Sequence, residues 1–461
     1  MVPTMLVRQP APLLIRGATV VPMDGERVLR GHSVLVEDGR IAAVAPAGAL
    51  EPAPADVLDA AGLFLAPGLC DLHVHYWEPT DANLFLAHGV TLVRNMWGAP
   101  LHLDLRRRVE RGEAPGPRLV TASPAVDGPG DEGRTVWPGT TSLVDPAAAA
   151  ALVAGYAEAG YDQVKVYSWL GAEALRALGR AARGAGLRLT GHCPEGVTFE
   201  EAADAGVSCF EHLLGIERGH LRDGLVYPAQ RRPSDRAAAL RRLGLAARHL
   251  DLEAVRRLAA RLAAERVWNC PTLVQPRALA RDRAGAAADP GLRYLAPARA
   301  ATWLAALTGD DELLAARRRR NDVHLRVVAI LRAEGAPLLL GTDAPNPFVL
   351  PGASVHDELA NLRAAGLSPH EALSCATGEA ARFLGLAGET GTVAPGRRAD
   401  LVLTRGDPLR DPAELRRPEW VLVNGYRLRR ADLDRLLEER AAWAASAVRV
   451  RQEGPGSSRQ A

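Results

Sequence analysis

Apolar and polar positions change rhythm twice along this chain. Between residues 12 and 65 they alternate in short runs at 13–15, 19–22, 33–37, 40–44 and 57–59. Asp24-Gly25 and Glu37-Asp38-Gly39 supply the turns, and the pattern predicts strands without helices. The same pattern returns at 399–403, 420–423 and 426–428, with Asn424-Gly425 as a turn. Neither piece is long enough for a stable sheet alone, so the two are expected to pair into one discontinuous β-sandwich, residues 1–65 with 389–430.

Between them the rhythm becomes strand, loop, helix, repeated. Apolar runs at 63–72, 91–95, 118–122, 163–167, 188–192, 207–211, 267–272 and 337–343 make eight strand candidates. Ala-, Leu- and Arg-rich helical stretches such as 172–185 and 252–264 separate most of them. Eight βα units over residues 66–388 predict an α/β fold, a (β/α)8 TIM barrel. The intervals 213–266 and 276–332 exceed one helix and are expected to hold insertions. Residues 431–461 read as a C-terminal surface helix and a disordered tail from Gln452.

Composition narrows the function classes. Lys and Arg number 56 against 54 Asp and Glu, a net charge of +2 spread over 461 residues. That balance gives no reason to expect nucleic acid or an anionic membrane as a partner. Five widely spaced cysteines, Cys70, Cys193, Cys209, Cys270 and Cys375, read as buried free thiols in a reducing compartment. With no leader pattern and no long apolar run, the expectation is a soluble cytoplasmic protein acting on a small molecule. An exposed edge of the small sheet leaves room for a homo-oligomer.

One residue stands apart from that composition. Lys165, in Gln163-Val164-Lys165-Val166-Tyr167, is the sole lysine of the chain; every other basic chain position is arginine. An alternating strand puts it on a buried face or at a barrel mouth, where an unpaired ammonium costs several kcal/mol. The bland reading pairs it with a buried carboxylate. The sharper one uses what Arg cannot supply, a neutral amine that adds CO2 to become a carbamate able to bridge two divalent metals.

Ligand-type residues at other strand ends favour the sharper reading. His73 and His75, in Asp71-Leu72-His73-Val74-His75, share one face of a strand because the strand period is two. His192 ends the fifth strand, His212 follows the sixth and Asp343 ends the eighth. Six such side chains on five strands meet at the C-terminal rim, where barrel active sites lie.

These residues resemble the amidohydrolase superfamily of metal-dependent hydrolases. The likeness runs through Pro67-Gly68-x-x-Asp71-x-His73-x-His75 and Gly341-Thr342-Asp343. It continues in Ser374-x-Ala376-Thr377 and in Gly391-x-Val393-x-x-Gly396-x-x-Ala399-Asp400. Within the superfamily, the Lys165 strand and Pro271-Thr272-Leu273 look most like the imidazolonepropionase-like group, which includes prolidase-like dipeptidases. The resemblance implies that His73, His75 and Asp343 hold a more buried metal and His192 and His212 a more exposed one. Carbamylated Lys165 would bridge both. Imidazole and carboxylate without thiolate suit Zn2+, with Mn2+, Fe2+ or Co2+ as alternatives. A bridging water would be the nucleophile, and Asp343 would take its proton and return it to the leaving nitrogen.

Trp77, Trp137, Tyr167 and Tyr227 follow strand ends and are candidates to line the substrate pocket. His324 and the other histidines off the rim read as surface or core, and the 317–320 arginine run as a solvated helix face. Two departures from the relatives appear. The stretch after strand 3, Thr121-Ala-Ser-Pro-Ala-Val-Asp-Gly, has no histidine where a Gly-Gly-His is common, and strand 2 ends in Asn95 rather than aspartate. The leading expectation is hydrolysis of an amide or peptide-like C–N bond. The rivals are a mononuclear deaminase or cyclic-amidine hydrolase, a lactonase or phosphotriesterase, and a non-catalytic scaffold.

Overall fold

The computed structural model describes residues 8–9, 11–50, 56–129, 139–227 and 236–447. The sequence's C-terminal tail and Trp137 lie outside these described residues. Numbered along the chain, the first strands are β1 (Leu13–Val20), β2 (Leu29–Glu37), β3 (Arg40–Pro46), β4 (Asp56–Asp59) and β5 (Phe64–Pro67). Then come β6 (Leu69–Val74), β7 (Val90–Asn95), β8 (Arg118–Asp127), β9 (Thr141–Ser142), β10 (Gln163–Val166), β11 (Arg188–Gly191), β12 (Val207–Glu211) and β13 (Trp268–Cys270). Strands β14 (Leu401–Thr404), β15 (Trp420–Val423) and β16 (Tyr426–Arg429) follow the barrel.

The terminal pieces do pair. One sheet runs β16-β15-β14-β5-β1-β2-β3, with β4 also on β1, so β5 against β14 is the seam between the two ends of the chain. Its core is a separate apolar cluster around Ile15, Val20, Val34, Ile41, Leu65 and Leu403.

The second sheet is the barrel wall, in the order β13-β12-β11-β10-β8-β7-β6, all parallel. Strands β6, β7 and β10 are buried at every position, as strands covered by helices on one side and a filled interior on the other must be. The candidate strand at 63–72 is in fact two strands serving two sheets. The chain crosses between them at Gly68, where a Cβ would lie 2.1 Å from the Thr91 hydroxyl.

The eighth candidate strand does not form a continuous ladder. Residues 337–344 close the barrel through single bridges, Asn269 to Leu338 and Val74 to Ala344. The cause is competition from a side chain: Asp71 takes the Thr342 amide at 3.0 Å and its hydroxyl at 2.6 Å. Asp343 N still reaches His73 O at 2.7 Å, and His75 N reaches Ala344 O at 2.6 Å. Gly341 permits this approach, because a Cβ there would meet the His73 Cβ at 2.7 Å.

Helices Arg236–His249 and Leu252–Glu265 occupy the first expected insertion, and Pro297–Ala305 and Asp311–Ala333 lie in the second. Arg430–Ser446 is the C-terminal helix. All five cysteines are free and buried. Among the described residues, no helix is long and apolar enough to cross a membrane.

Candidate metal centre

Five strand ends deliver polar side chains into one cavity of about 560 Å³, which His75, Lys165, His192, His212 and Asp343 line. His73, two residues before His75 on the same strand face, is fully buried. The rings pack in sequence: His73 to His75 at 5.4 Å, His73 to His212 at 4.5 Å and His192 to His212 at 5.0 Å between centroids. The six side chains picked from the sequence therefore converge.

The outer nitrogen of three imidazoles is tied down by an oxygen. His73 Nδ1 lies 2.7 Å from Glu211 Oε2, His192 Nδ1 2.9 Å from Ser168 Oγ, and His212 Nδ1 2.7 Å from Thr272 Oγ1. A carboxylate accepts and cannot donate, so the His73 proton sits on Nδ1 and Nε2 presents a bare lone pair. That Nε2 is buried with no hydrogen-bond partner and faces Asp343 Oδ1 at 3.4 Å. His75 Nε2 reaches the same oxygen at 2.9 Å. Two acceptor atoms facing each other in a buried site repel, and a cation between them removes the repulsion. The donor set of His73, His75 and Asp343, all within 4.8 Å of one another, fits a divalent metal.

The electrostatics agree with that chemistry. Burial, then the Lys165 charge, push His73 and His192 well below the ordinary histidine range, and burial also lowers His212. Neutral imidazole is the ligating form. Burial works against the Asp343 carboxylate, yet the imidazoles of His212, His75 and His73 hold it below its usual range. Lys165 is pushed down to about 8 by burial, against the pull of the Glu211 and Asp343 charges. No described carboxylate lies within ion-pair distance of it, so the bland pairing is not what the geometry offers.

His212, Thr272 and Asp343 adopt positive φ of 67°, 46° and 66° at their strand ends. Non-glycine residues in that region cost on the order of 1–3 kcal/mol each and gather at functional sites. For Thr272 the restraint is visible: Glu358 accepts the following amides, Leu273 N at 2.8 Å and Val274 N at 2.6 Å.

Trp77 and Tyr167 line the cavity. Tyr227 does not, and its hydroxyl lies 3.3 Å from Glu217. Trp97 was missed from the sequence, and it lines the cavity against His75 and Tyr167. Arg320 and His324 also line it, contrary to their reading as a solvated face and as surface or core. Glu211 and Asp71 were missed as well. Their signal is adjacency, since each lies within two residues of a ligand on its own strand.

Residues 64–425 match the model of the Amidohydrolase family. The chain belongs to that family. Membership brings a reaction class, hydrolysis at a carbon–nitrogen bond, and leaves the substrate open. Among solved structures the chain is similar to Bottromycin amidohydrolase, with 31% identity, a TM-score of 0.76, and 95% of this chain and 91% of that one covered. It shares its fold with a Xaa-Pro dipeptidase with bound methionine in the active site, at 18% identity and a TM-score of 0.67, covering 91% of this chain and 100% of the other. An adenine deaminase of Chelativorans sp. (strain BNC1) is 48% identical over 63 residues, 14% of this chain. The match spans only 10% of that deaminase's length.

Proposed function

We propose that this member of the family is a metal-dependent amidohydrolase that cleaves an amide or peptide-like bond in a small substrate. His73, His75 and Asp343 would hold one divalent cation, His192 and His212 a second, and a carbamylated Lys165 would belong to both. Zinc suits the donor set. When bound, the cations supply Lewis acidity, polarising the scissile carbonyl and making water acidic enough to attack near neutral pH.

The chain's own groups do the remaining work. Asp343, kept ionised by the imidazoles around it, accepts a proton at its carboxylate and returns it to the departing nitrogen. Glu211, Ser168 and Thr272 fix the ring orientation of His73, His192 and His212. Trp77, Trp97 and Tyr167 give the cavity an apolar flank against which a substrate side chain loses water.

The observation carrying this reading is the buried His73 Nε2, without a hydrogen-bond partner, held 3.4 Å from the Asp343 carboxylate among the other cavity-lining imidazoles. Its test is metal quantification on wild type and Lys165→Ala, together with hydrolysis of a panel of dipeptides and N-acyl amino acids. Two metals per chain in the wild type, fewer in the variant, and release of a free amine support it. The short likeness to adenine deaminase favours the rival reading, a deaminase. One metal per chain, indifferent to Lys165→Ala, with ammonia released from an aminopurine, would establish that reading instead.

A further inference from the structure

The cavity takes in polar side chains that this hydrolytic chemistry does not use. Arg320 and His324 stand one turn apart on helix Asp311–Ala333, so both meet the same neighbour. That neighbour is Glu217, in the short helix Ile216–Gly219 beyond β12. Arg320 Nε lies 2.7 Å from Glu217 Oε1 and Nη2 2.9 Å from Oε2. His324 Nε2 lies 2.7 Å from Oε1, and the Tyr227 hydroxyl 3.3 Å from Oε2. Glu217 is only 5% exposed.

This arrangement is an expensive way to gain stability. Well-packed apolar residues often do as well as a buried ion pair, because removing both charges from water offsets their attraction. What the pair does secure is direction. Glu217 uses two of the five guanidinium N–H donors, which locks the plane of Arg320 and leaves three donors, with Nη1 unpaired among the described residues. Arg320 is also a cavity-lining residue. A fixed, planar, two-pronged donor edge is the complement of a carboxylate. Arg299 adds a second cation to the same cavity wall, though it is half engaged by Glu78 at 3.1 Å.

We propose that Arg320, oriented by Glu217, receives a carboxylate of the substrate, so that the enzyme prefers N-acyl amino acids or peptides with a free carboxylate to their neutral counterparts. The proposal rests on the amidohydrolase reading for the bond cleaved, and on Arg320 alone for the preference.

The experiment pairs each member of a dipeptide panel with its C-terminal carboxamide. Two readouts are taken on the full metal-loaded chain: kcat/KM, and equilibrium binding followed by tryptophan fluorescence, since Trp77 and Trp97 line the cavity. A charge-assisted bidentate contact predicts roughly a tenfold to hundredfold preference for the acid, expressed in KM and in binding rather than in kcat. In Arg320→Met the acid loses that advantage. Because Arg320→Met strands a buried carboxylate, the double variant Arg320→Gln with Glu217→Gln removes both charges together, and it too should bind acid and amide alike. Acid and amide indistinguishable in the wild type by both readouts, or a preference intact in the double variant, overturns the proposal. An acid preference in binding without any cleavage supports it and sinks the hydrolytic reading instead.

Discussion

Glu211 Oε2 lies 2.7 Å from His73 Nδ1, and its Oε1 lies 2.8 Å from Arg94 Nη2 and 3.3 Å from Cys209 Sγ, with all four side chains fully buried. One carboxylate therefore balances a guanidinium inside the barrel and orients the ring of a candidate ligand histidine. Arg94 also lies over the Phe383 ring at 5.0 Å, so it has no route to water. Glu211→Gln keeps the shape and removes the charge. Breaking a buried pair on one side costs about 3–5 kcal/mol, and denaturant unfolding of the metal-free protein should show a loss of that size. An unfolding midpoint equal to wild type would mean that Arg94 is balanced by something else.

Lys165 is irreplaceable by any other cation if its role is a carbamate. Lys165→Arg preserves charge and bulk but stays protonated at every accessible pH. We expect Lys165→Arg to behave as Lys165→Ala does, with reduced metal content by elemental analysis and activity down by at least about a hundredfold, as for loss of a metal-site interaction. Short carboxylic acids added to Lys165→Ala should restore part of both, since they supply the missing oxygens. An arginine variant with full metal occupancy would refute the carbamate.

Ser168 and Thr272 make a milder prediction. Each hydroxyl holds the Nδ1 of a cavity-lining histidine, at 2.9 Å and 2.7 Å. Ser168→Ala and Thr272→Val delete that partner without opening a large void. Outer partners of this kind are worth about 10–100-fold in metal affinity or activity. Competition with a chelator should show metal loss at correspondingly lower chelator concentration, while thermal stability of the metal-free protein stays close to wild type. Equal chelator sensitivity would show that the rings are held by packing alone.

The convergence of the candidate ligands was legible because each lies at or just after a strand predicted from the sequence, and strand period two sets His73 and His75 on one face with no help from distant contacts. Lys165 was legible because composition isolated it. Arg320 was not, because its meaning depends on Glu217, 103 residues earlier in an insertion. Read locally, four arginines in a row on a helix look solvated. The eighth strand failed for a related reason: an apolar run suggests a ladder, but only the fold brings Asp71 close enough to capture Thr342. Tyr227 likewise follows a strand end in sequence, yet its hydroxyl meets the same Glu217 and the residue does not line the cavity.

Glu358 offers a test through pH that leaves the metal ligands untouched. Its carboxyl is buried and accepts from Leu273 N, Val274 N and Asn361 Nδ2, which hold the turn beside Thr272. Burial raises it from 4.5 to about 7, more than those hydrogen bonds lower it. A carboxyl raised on folding keeps its proton where the unfolded chain has lost its own. Its stabilising contribution is therefore complete below pH 4.5 and disappears as pH rises through about 7. Every tenfold change in proton affinity on folding is worth about 1.4 kcal/mol, so the loss across that window is on the order of 3 kcal/mol. Glu358→Gln cannot titrate, and its amide nitrogen faces at least one of those three donors, which costs it stability at every pH. Its unfolding free energy should lie below wild type near pH 5 and draw closer to it near pH 8, giving a flatter profile between them. Parallel profiles for the two proteins would show that Glu358 folds in as a carboxylate, charged and fully balanced by its three donors.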